Sequence, residues 1–342
     1  MSVAQFAAMT SGLRANTYAA ALFCHNFQRN KAYKAVKHLN INSTLRKDEW
    51  EDLDRMVVET GKEVLVGVMD LRNKAGLLRP VSIATAIAQY NRMSLMPPAQ
   101  VSMNPLADGN RGRVDFRLDG VPIPFAFGDF QLDIRTLVAS RQLGEGLDVS
   151  QSTEATYQVS LAWETMLFNG TPAIGAVDRV GNLETIYGYL THPDRNIGSA
   201  AGAWEDATNG YVYISQTIGL MKEALRNDRF YGPYWLYVNS GNWTDLTTLN
   251  PQTGTTPLQA LMDDPELEGI KYSPRLGYGE LVMVDPKPRV VQWVEGAMIR
   301  PVEWDEKGGL GSNFRVIGAA APLVKSDYTG QCGVAHFTGA GS

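Results

Sequence analysis

The sequence predicts an α+β protein in which helices and strands are mixed without a regular strand–helix alternation. The strongest helical pattern covers residues 152–169, where apolar residues recur at the spacing of one helix face. Directly before it, residues 125–134 mostly alternate apolar, largely aromatic, and other side chains, as a strand does. A second amphipathic stripe at 214–225 precedes an apolar run at 234–238, which predicts another helix followed by a strand.

The composition is that of a chain able to bury its own core. It has 342 residues, 44% of them apolar, so one large domain or two can fold without a disulfide or a metal. A net charge of -5 excludes a generally basic nucleic-acid binder. The two distant cysteines favour a reduced, cytoplasm-made protein, while a single bridge stays open. No apolar run approaches the roughly 20 residues of a membrane span, so we expect no membrane partner.

The first 44 residues differ from the rest in charge. They carry five cations and no acid, whereas the remaining residues carry 26 basic and 36 acidic groups. This asymmetry predicts an N-terminal arm that lies on an acidic surface, either of its own body or of a neighbouring copy. The alternative is a solvated, partly helical tail. The cations assigned to this inter-subunit contact are Arg29, Lys31, Lys34 and Lys37.

A helix is predicted from Arg46, because apolar residues share one face and acids occupy the first turn, where the helix dipole favours them. Gly61 is expected to interrupt this helix. Residues 64–71 are apolar enough for either a strand or a continued helix, and Pro80 closes this part of the chain.

Residues 93–121 predict an exposed hairpin. Strict alternation from Arg113 to Asp119 places apolar and charged side chains on opposite faces. An isolated hairpin is marginally stable in water, so we expect one face to rest on a partner surface, and the alternative is an ordinary two-stranded edge of a sheet. The residues assigned to this inter-subunit contact are Arg113, Val114, Asp115, Phe116, Arg117 and Leu118.

The long helix has Ser152 as its predicted N-cap and is stopped by Gly170, which tolerates the left-handed conformation found at helix ends. Glu164 lies beside the apolar stripe, where a carboxylate needs a partner. We expect an ion pair with Arg135 or Arg141, or else a side chain that reaches solvent. The structural residues assigned to this helix are Glu164, Phe168 and Gly170.

The chain contains no recognisable catalytic or ligand-binding motif. Its four histidines are dispersed without the spacing of metal ligands, and we find no phosphate-binding loop, dinucleotide fingerprint or nucleophile elbow. The cluster His192-Pro193-Asp194-Arg195 has residues of a catalytic type, but a turn whose polar side chains hold the backbone explains it better. We therefore expect no enzyme activity, no metal and no cofactor.

Several short motifs occur in a characteristic order around the long helix. They are a phenylalanine-rich strand, Asp-Phe-x-Leu-Asp-x-Arg, a turn before Leu-Asp, a helix ending Glu-x-x-x-Phe-x-Gly, and Gly-x-Leu-x-His-Pro. This order resembles encapsulins and their relatives, the tailed-phage major capsid proteins of the Hong Kong 97 type. Stretches from Leu45, Gly232 and Tyr272 extend the resemblance over most of residues 45–322. The anchor residues are Asp129, Phe130, Leu132, Asp133, Arg135, Leu147, Asp148, Glu164, Phe168, Gly170, Gly188, Leu190, His192 and Pro193.

The resemblance implies a Hong Kong 97-type capsid fold with five parts. They are an N-terminal arm (1–44), a peripheral domain (45–92 and 122–195) with a spine helix at 152–169, an extended hairpin loop (93–121), an axial domain (196–290), and return strands with the C-terminus (291–342).

The same resemblance implies a major capsid protein that self-assembles, as hexamers and pentamers, into the icosahedral head around phage double-stranded DNA. Expected partners are portal, scaffold or decoration proteins, with DNA in weak, non-specific contact only. Such a protein would be found in the virion and be assembled in the cytoplasm of the bacterial host. The alternative from the same fold is an encapsulin shell around a cargo enzyme, and an unrelated soluble enzyme ranks last. The basic arm favours the capsid protein, since encapsulins begin close to the helix that starts here near Leu45.

Overall fold

A computed structural model describes residues 47–96, 98–99, 101, 103, 112–133, 150–171, 185–206, 209–250, 254–306 and 311–341 of the chain. The predicted arm lies outside the described residues, with its four assigned cations Arg29, Lys31, Lys34 and Lys37, and so do Arg135 and Arg141. None of the described helices is both long and apolar enough to cross a bilayer.

The described helices are α1 (Lys47–Val64), α2 (Val66–Asn73), α3 (Ser150–Asn169), α4 (Gly210–Asn227), α5 (Ser240–Thr247) and α6 (Pro257–Met262). The described strands are β1 (Leu78–Pro80), β2 (Ile87–Met93), β3 (Phe116–Pro122), β4 (Phe125–Asp133), β5 (Asn196–Ser199), β6 (Tyr234–Val238), β7 (Leu267–Tyr272), β8 (Leu281–Val284), β9 (Val291–Glu306), β10 (Gly311–Val324) and β11 (Val334–Thr338).

The described strands form two sheets and a separate ribbon. In the first sheet the order is β1–β9–β10–β4, with β10 antiparallel to both of its neighbours and β1 parallel to β9. In the second sheet the order is β5–β11–β8–β6–β7. Strands β2 and β3 form a two-stranded antiparallel ribbon of their own. Because β9 and β10 lie in the first sheet and β11 lies in the second, the C-terminal part of the chain returns to both sheets.

The first core is formed by α2, α3 and the first sheet, together with residues of the second sheet such as Tyr237 and Val284. The predicted apolar stripe of α3 is buried only in part, since Val159 and Met166 are nearly inaccessible to solvent whereas Ala162 and Tyr157 are exposed. Trp163, which lies outside the predicted stripe, is also buried. Trp163 meets Trp293 of β9 edge to face, with 5.6 Å between ring centroids. Such an aromatic pair stabilises by about 0.5–1.5 kcal/mol beyond the burial of its area.

The second core lies between α4 and the second sheet. The predicted stripe of α4 is buried in it, and Phe337 of β11 and Leu236 of β6 belong to the same cluster. The stripe residues are Ile214, Ile218, Met221 and Leu225.

Two expected boundaries differ from the structure. Helix α1 continues through Gly61 and ends at Val64. Glycine inside a helix costs about 1 kcal/mol, and packing against α3 offsets this cost. The contact is close, since a Cβ on Gly61 would lie 3.7 Å from Ser160 Oγ. The next segment is helix α2, which decides the alternative left open for residues 64–71. Helix α3 starts at Ser150, two residues before the predicted spine helix of 152–169. Ser152 is therefore inside the helix, where it is buried and its hydroxyl makes no capping hydrogen bond.

The end of α3 depends on Gly170. The helix stops at Asn169, and Gly170 has a φ of 72° while its N–H donates to the carbonyl oxygen of Met166 at 3.0 Å. A Cβ at this position would lie 2.4 Å from the carbonyl oxygen of Ile186. Backbone conformation and lack of space therefore both require glycine here.

We expect Gly170→Ala to destabilise the subunit by roughly 2–4 kcal/mol, because left-handed backbone costs an alanine about 1–2 kcal/mol and the Ile186 carbonyl must also move. The matched control is Gly219→Ala in the middle of α4, where no atom lies within 4 Å of the added Cβ. That change should stabilise the helix by up to about 1 kcal/mol. Urea unfolding of unassembled subunits measures both, and equal shifts in the two variants would contradict the argument.

Candidate inter-subunit surface

The ribbon of β2 and β3 leaves the body of the subunit at a buried root. Its register runs from Ile87 opposite Pro122 to Met93 opposite Phe116. At the root, Ala88 and Val121 are part of the first core. Burial then falls along both strands toward the tip.

The two faces of the ribbon have different surroundings. One face carries Ala88, Tyr90 and Arg92 and lies against the body of its own subunit. The opposite face carries apolar side chains that are largely in solvent: Phe116 is 64% exposed, Met93 53% and Leu118 50%. We call these three residues the outer apolar face of the ribbon. An exposed group of large apolar side chains is typical of a contact surface.

The predicted alternation is found, but the strand begins three residues later than expected. Arg113, Val114 and Asp115 precede β3, with Arg113 and Asp115 exposed and Val114 half-buried. Asp115 still pairs across the ribbon, since its carbonyl oxygen accepts from Ser94 N at 3.0 Å. The other strand of the ribbon, β2, starts at Ile87, whereas the predicted hairpin begins at residue 93. The contacts assigned to residues 113–118 stay a prediction.

A second exposed surface lies on the first sheet, on the side away from α3. Phe125 and Phe127 of β4 point into solvent here. The guanidinium of Arg315 lies 4.6 Å from the centroid of Phe127 and 5.3 Å from that of Trp304. Asp129 accepts two hydrogen bonds from Arg315, at 2.5 and 2.6 Å, which hold the pKa of this carboxyl below its usual range. We call this group the aromatic face of the sheet, and its residue types are those that dominate binding at protein interfaces.

The turn at His192-Pro193-Asp194-Arg195 has the structural role expected of it. The N–H of Asp194 donates to His192 Nδ1 at 3.2 Å, and Arg195 donates to the His192 carbonyl at 2.9 Å. Burial lowers the pKa of His192 to about 4, so its ring is neutral at physiological pH. The described part of the chain contains no group of three side chains that could hold a metal ion.

Glu164 contradicts one expectation of the sequence and leaves the other untested. Its side chain is 1% exposed, so it does not reach solvent. Its carboxylate accepts from the backbone N–H of Gly67 at 2.7 Å and of Val68 at 3.3 Å. These groups belong to the first turn of α2, where Leu65 makes no side-chain cap. Glu164 of α3 therefore caps another helix, and an anion at a helix N-terminus is stabilised by the helix dipole.

The other two assigned residues of α3 support the same region. Phe168 is fully buried and meets Tyr189 and Tyr237 edge to face, at centroid distances of 5.6 and 5.4 Å. Gly170 closes the helix as described above. Sequence patterns give no sign of the Glu164 contact, because its partners are backbone groups almost a hundred residues away.

Arg92 is the residue of this surface that sequence reasoning missed. It lies on the body-facing side of the ribbon and is bonded to three separate segments of the chain. The sequence predicts no element around Arg92, and a single charged residue gives no signal of partners that are distant along the chain.

The chain is similar in sequence to a known family and to curated proteins. A family model described as a family of unknown function, DUF6260, matches residues 39–337. Among curated proteins, the diheme-cytochrome-encapsulin shell fusion protein of Kuenenia stuttgartiensis is 24% identical over 308 residues, which are 90% of this chain and 77% of that protein.

Solved structures show the same fold. A virus-like particle from Pyrococcus furiosus matches with a TM-score of 0.59 and 15% identity, over 84% of this chain and 98% of that chain. The capsid of Myoviridae phage XM1 matches with a TM-score of 0.56 and 15% identity, over 77% of this chain and 90% of that chain. The chain thus has the Hong Kong 97-type capsid fold that its motifs predict.

Glu164 should make stability depend on pH. Burial raises the pKa of its carboxyl to about 7, although the N–H groups of Gly67 and Val68 lower it. In the folded chain this carboxyl therefore keeps its proton up to a higher pH than in the unfolded chain, where its pKa is near the usual 4.5. Stability from this group is present below about pH 4.5 and is lost as pH rises through about 7, by roughly 3 kcal/mol.

We expect Glu164→Gln to remove the part of the pH dependence of stability that Glu164 causes. Unfolding free energies of unassembled subunits at pH 5 and pH 8 measure it, as the difference between parent and variant, so that other titrating groups cancel. The same pH slope in both proteins would contradict the assignment.

Proposed function

The chain belongs to the DUF6260 family, and we propose that it is the subunit of a closed icosahedral shell built from copies of itself. The observation that carries the proposal is the outer apolar face of the ribbon, which its own subunit does not cover. The fold shared with virus-like particles and phage capsids supports it. In this proposal the chain is structural and performs no catalysis.

The ribbon would dock on the aromatic face of a neighbouring copy. Phe116 and Leu118 offer apolar area, and Phe127 with the stacked Arg315 offers a rigid surface that needs little ordering on contact. The contact repeats at every subunit, so that modest affinities add up over a hexamer or pentamer. The N-terminal arm, residues 1–44, would add an electrostatic contact with acidic bodies of adjacent copies.

The proposed parts of the subunit are those that the capsid resemblance implies. The peripheral domain is residues 45–92 and 122–195 with the spine helix, the extended loop is 93–121, and the axial domain is 196–290. Residues 291–342 supply return strands to both.

We assign the shell to the head of a tailed phage, where it encloses double-stranded DNA and is found in the virion after assembly in the bacterial cytoplasm. The residues beyond the arm carry ten more acids than bases. Such a body repels phosphate, so that contact with packaged DNA would be weak and non-specific. Portal, scaffold or decoration proteins are the expected further partners.

A second candidate is an encapsulin shell around a cargo enzyme. The curated relative named as an encapsulin shell fusion protein favours it. Its alignment spans 308 of the 342 residues and therefore includes part of residues 1–44, which weakens the arm as evidence for a phage head. Both candidates predict a shell, and they differ in its size and content.

We expect the purified full chain to form closed shells. Shells isolated from phage-producing cells should contain DNA that nuclease does not digest. Negative-stain microscopy gives the diameter, and nuclease treatment followed by extraction gives the content. Small uniform shells containing a protein cargo and no DNA would select the encapsulin alternative. A chain that remains monomeric at every salt and protein concentration tested would refute the shell.

We expect Phe116→Ala to abolish shells and leave the subunit stable. The ring is in solvent in the lone subunit, whereas enclosing it at a contact makes its removal cost about 3–5 kcal/mol at each site. Particle yield and the melting temperature of unassembled subunits are measured together. The control is Met262→Ala, an exposed apolar residue on α6 that should change neither. A Phe116→Ala subunit that melts several degrees lower would place the ring in its own core instead.

A further inference from the structure

The root of the ribbon is the place where its direction is decided. Below Tyr90 the ribbon is anchored in the first core through Ala88 and Val121, whereas Leu95 and Met96 beyond the ribbon are exposed. A two-stranded ribbon bends easily where its support ends. Whatever holds the ribbon at this level fixes the angle of the outer apolar face.

Arg92 lies at this level and spans the gap between ribbon and body. Its NH1 donates to Asp119 of β3 at 3.1 Å, and its NH2 donates to Asp194 at 2.7 Å. Its Nε and NH2 also donate to the carbonyl oxygen of Asp327, at 3.1 and 2.7 Å. One side chain therefore joins β3, the turn at 192–195 and the loop after β10.

The acceptors on the body are themselves held in place. Asp194 accepts from Ser326 Oγ at 2.5 Å. The carboxylate of Asp327 accepts from the backbone N–H groups of Thr329 and Gln331, both at 2.9 Å, which fixes the loop that offers the carbonyl. The same loop also bonds the ribbon directly, since Tyr328 N donates to the Met93 carbonyl at 3.2 Å.

The arrangement of acceptors around Arg92 suits the side chain of an arginine. A guanidinium spreads five donors over a rigid plane and so bonds separated acceptors in fixed directions, whereas the three donors of a lysine ammonium radiate from one nitrogen and rotate. The site is half-buried and balanced in charge, because Arg117 also pairs with Asp119 at 3.1 Å. Charge-assisted bonds of this kind are stronger and shorter than neutral ones.

We propose that Arg92 is the positioning residue of the ribbon: its guanidinium fixes the angle at which the ribbon leaves the subunit, and hence the geometry in which neighbouring copies meet. The proposal rests on the shell function above and adds to it a determinant of shell size. A ribbon freed at its root would still carry its apolar face but would present it over a range of angles.

The test compares Arg92→Lys with the parent chain. Lysine keeps the charge and loses the fork, so amides at 90–93 and 116–119 should exchange with solvent about tenfold faster or more in unassembled subunits, while amides of α3 and β10 keep the parent rate. Asp194→Asn, which removes one charged acceptor, should have the same effect if Arg92→Lys does not fold. The matched control is Arg226→Lys on α4, which makes the same replacement in a guanidinium pair with Glu266 that does not involve the ribbon.

The second readout is the distribution of shell diameters by electron microscopy. Arg92→Lys should broaden it or reduce closed shells, at a melting temperature close to that of the parent, and Arg226→Lys should not. Identical exchange and identical shells in Arg92→Lys would overturn the positioning role. If the parent itself forms no shells, the shell function fails, and the exchange measurement still decides whether Arg92 holds the ribbon.

Discussion

The ribbon of β2 and β3 has two faces, and its own subunit can cover only one of them. The body-facing side is enclosed through Ala88 and Tyr90, which fixes the opposite side toward solvent. Side chains of a strand alternate between its two faces. Shifting the register by one residue would therefore exchange the faces and expose the buried root. The two cores and both sheets form a body from which this one element projects. An apolar surface is thereby kept available for another molecule.

A projecting contact element is useful only if the body beneath it is rigid. Helix α2 joins α3 to the second sheet, since Glu164 of α3 caps its first turn and Tyr237 of β6 donates to Asp70 near its end at 2.9 Å. Keeping an ionisable carboxylate in a buried site costs free energy, and a buried charge is weak evidence for stability. What the Glu164 contact supplies is a defined position, because only one placement of α2 brings its N–H groups to the carboxylate.

The sequence predicts those features that depend on local pattern. The stripe of α4, the strand at β6 and the alternation before Asp119 were recognisable because neighbouring residues alone produce them. The stripe of α3 was predicted only in part, since Ala162 is exposed and the buried Trp163 lies outside the predicted stripe. The long hairpin of β9 and β10 was mostly missed, since its strands are buried on one side and irregular in polarity, and pairing between distant segments leaves no local signal. Glu164 and Arg92 were unpredictable for the same reason: their partners are backbone groups or acids brought close only by the fold. The capsid fold itself was predicted from the order of motifs, which integrates over the whole chain.

Charge explains why assembly should depend on short-range contacts. Residues 45–342 carry the same net negative charge in every copy, so copies repel one another, and the charge of +5 on residues 1–44 offsets only part of this repulsion. At physiological ionic strength the repulsion is screened beyond a Debye length of about 8 Å. Two subunits therefore gain or lose little until their surfaces nearly touch. In the proposed contact, apolar burial and stacked groups such as Phe127 and Arg315 act at that distance, and they act only if the ribbon has the right orientation. The direction of the ribbon is then as important to the proposed shell as its apolar area.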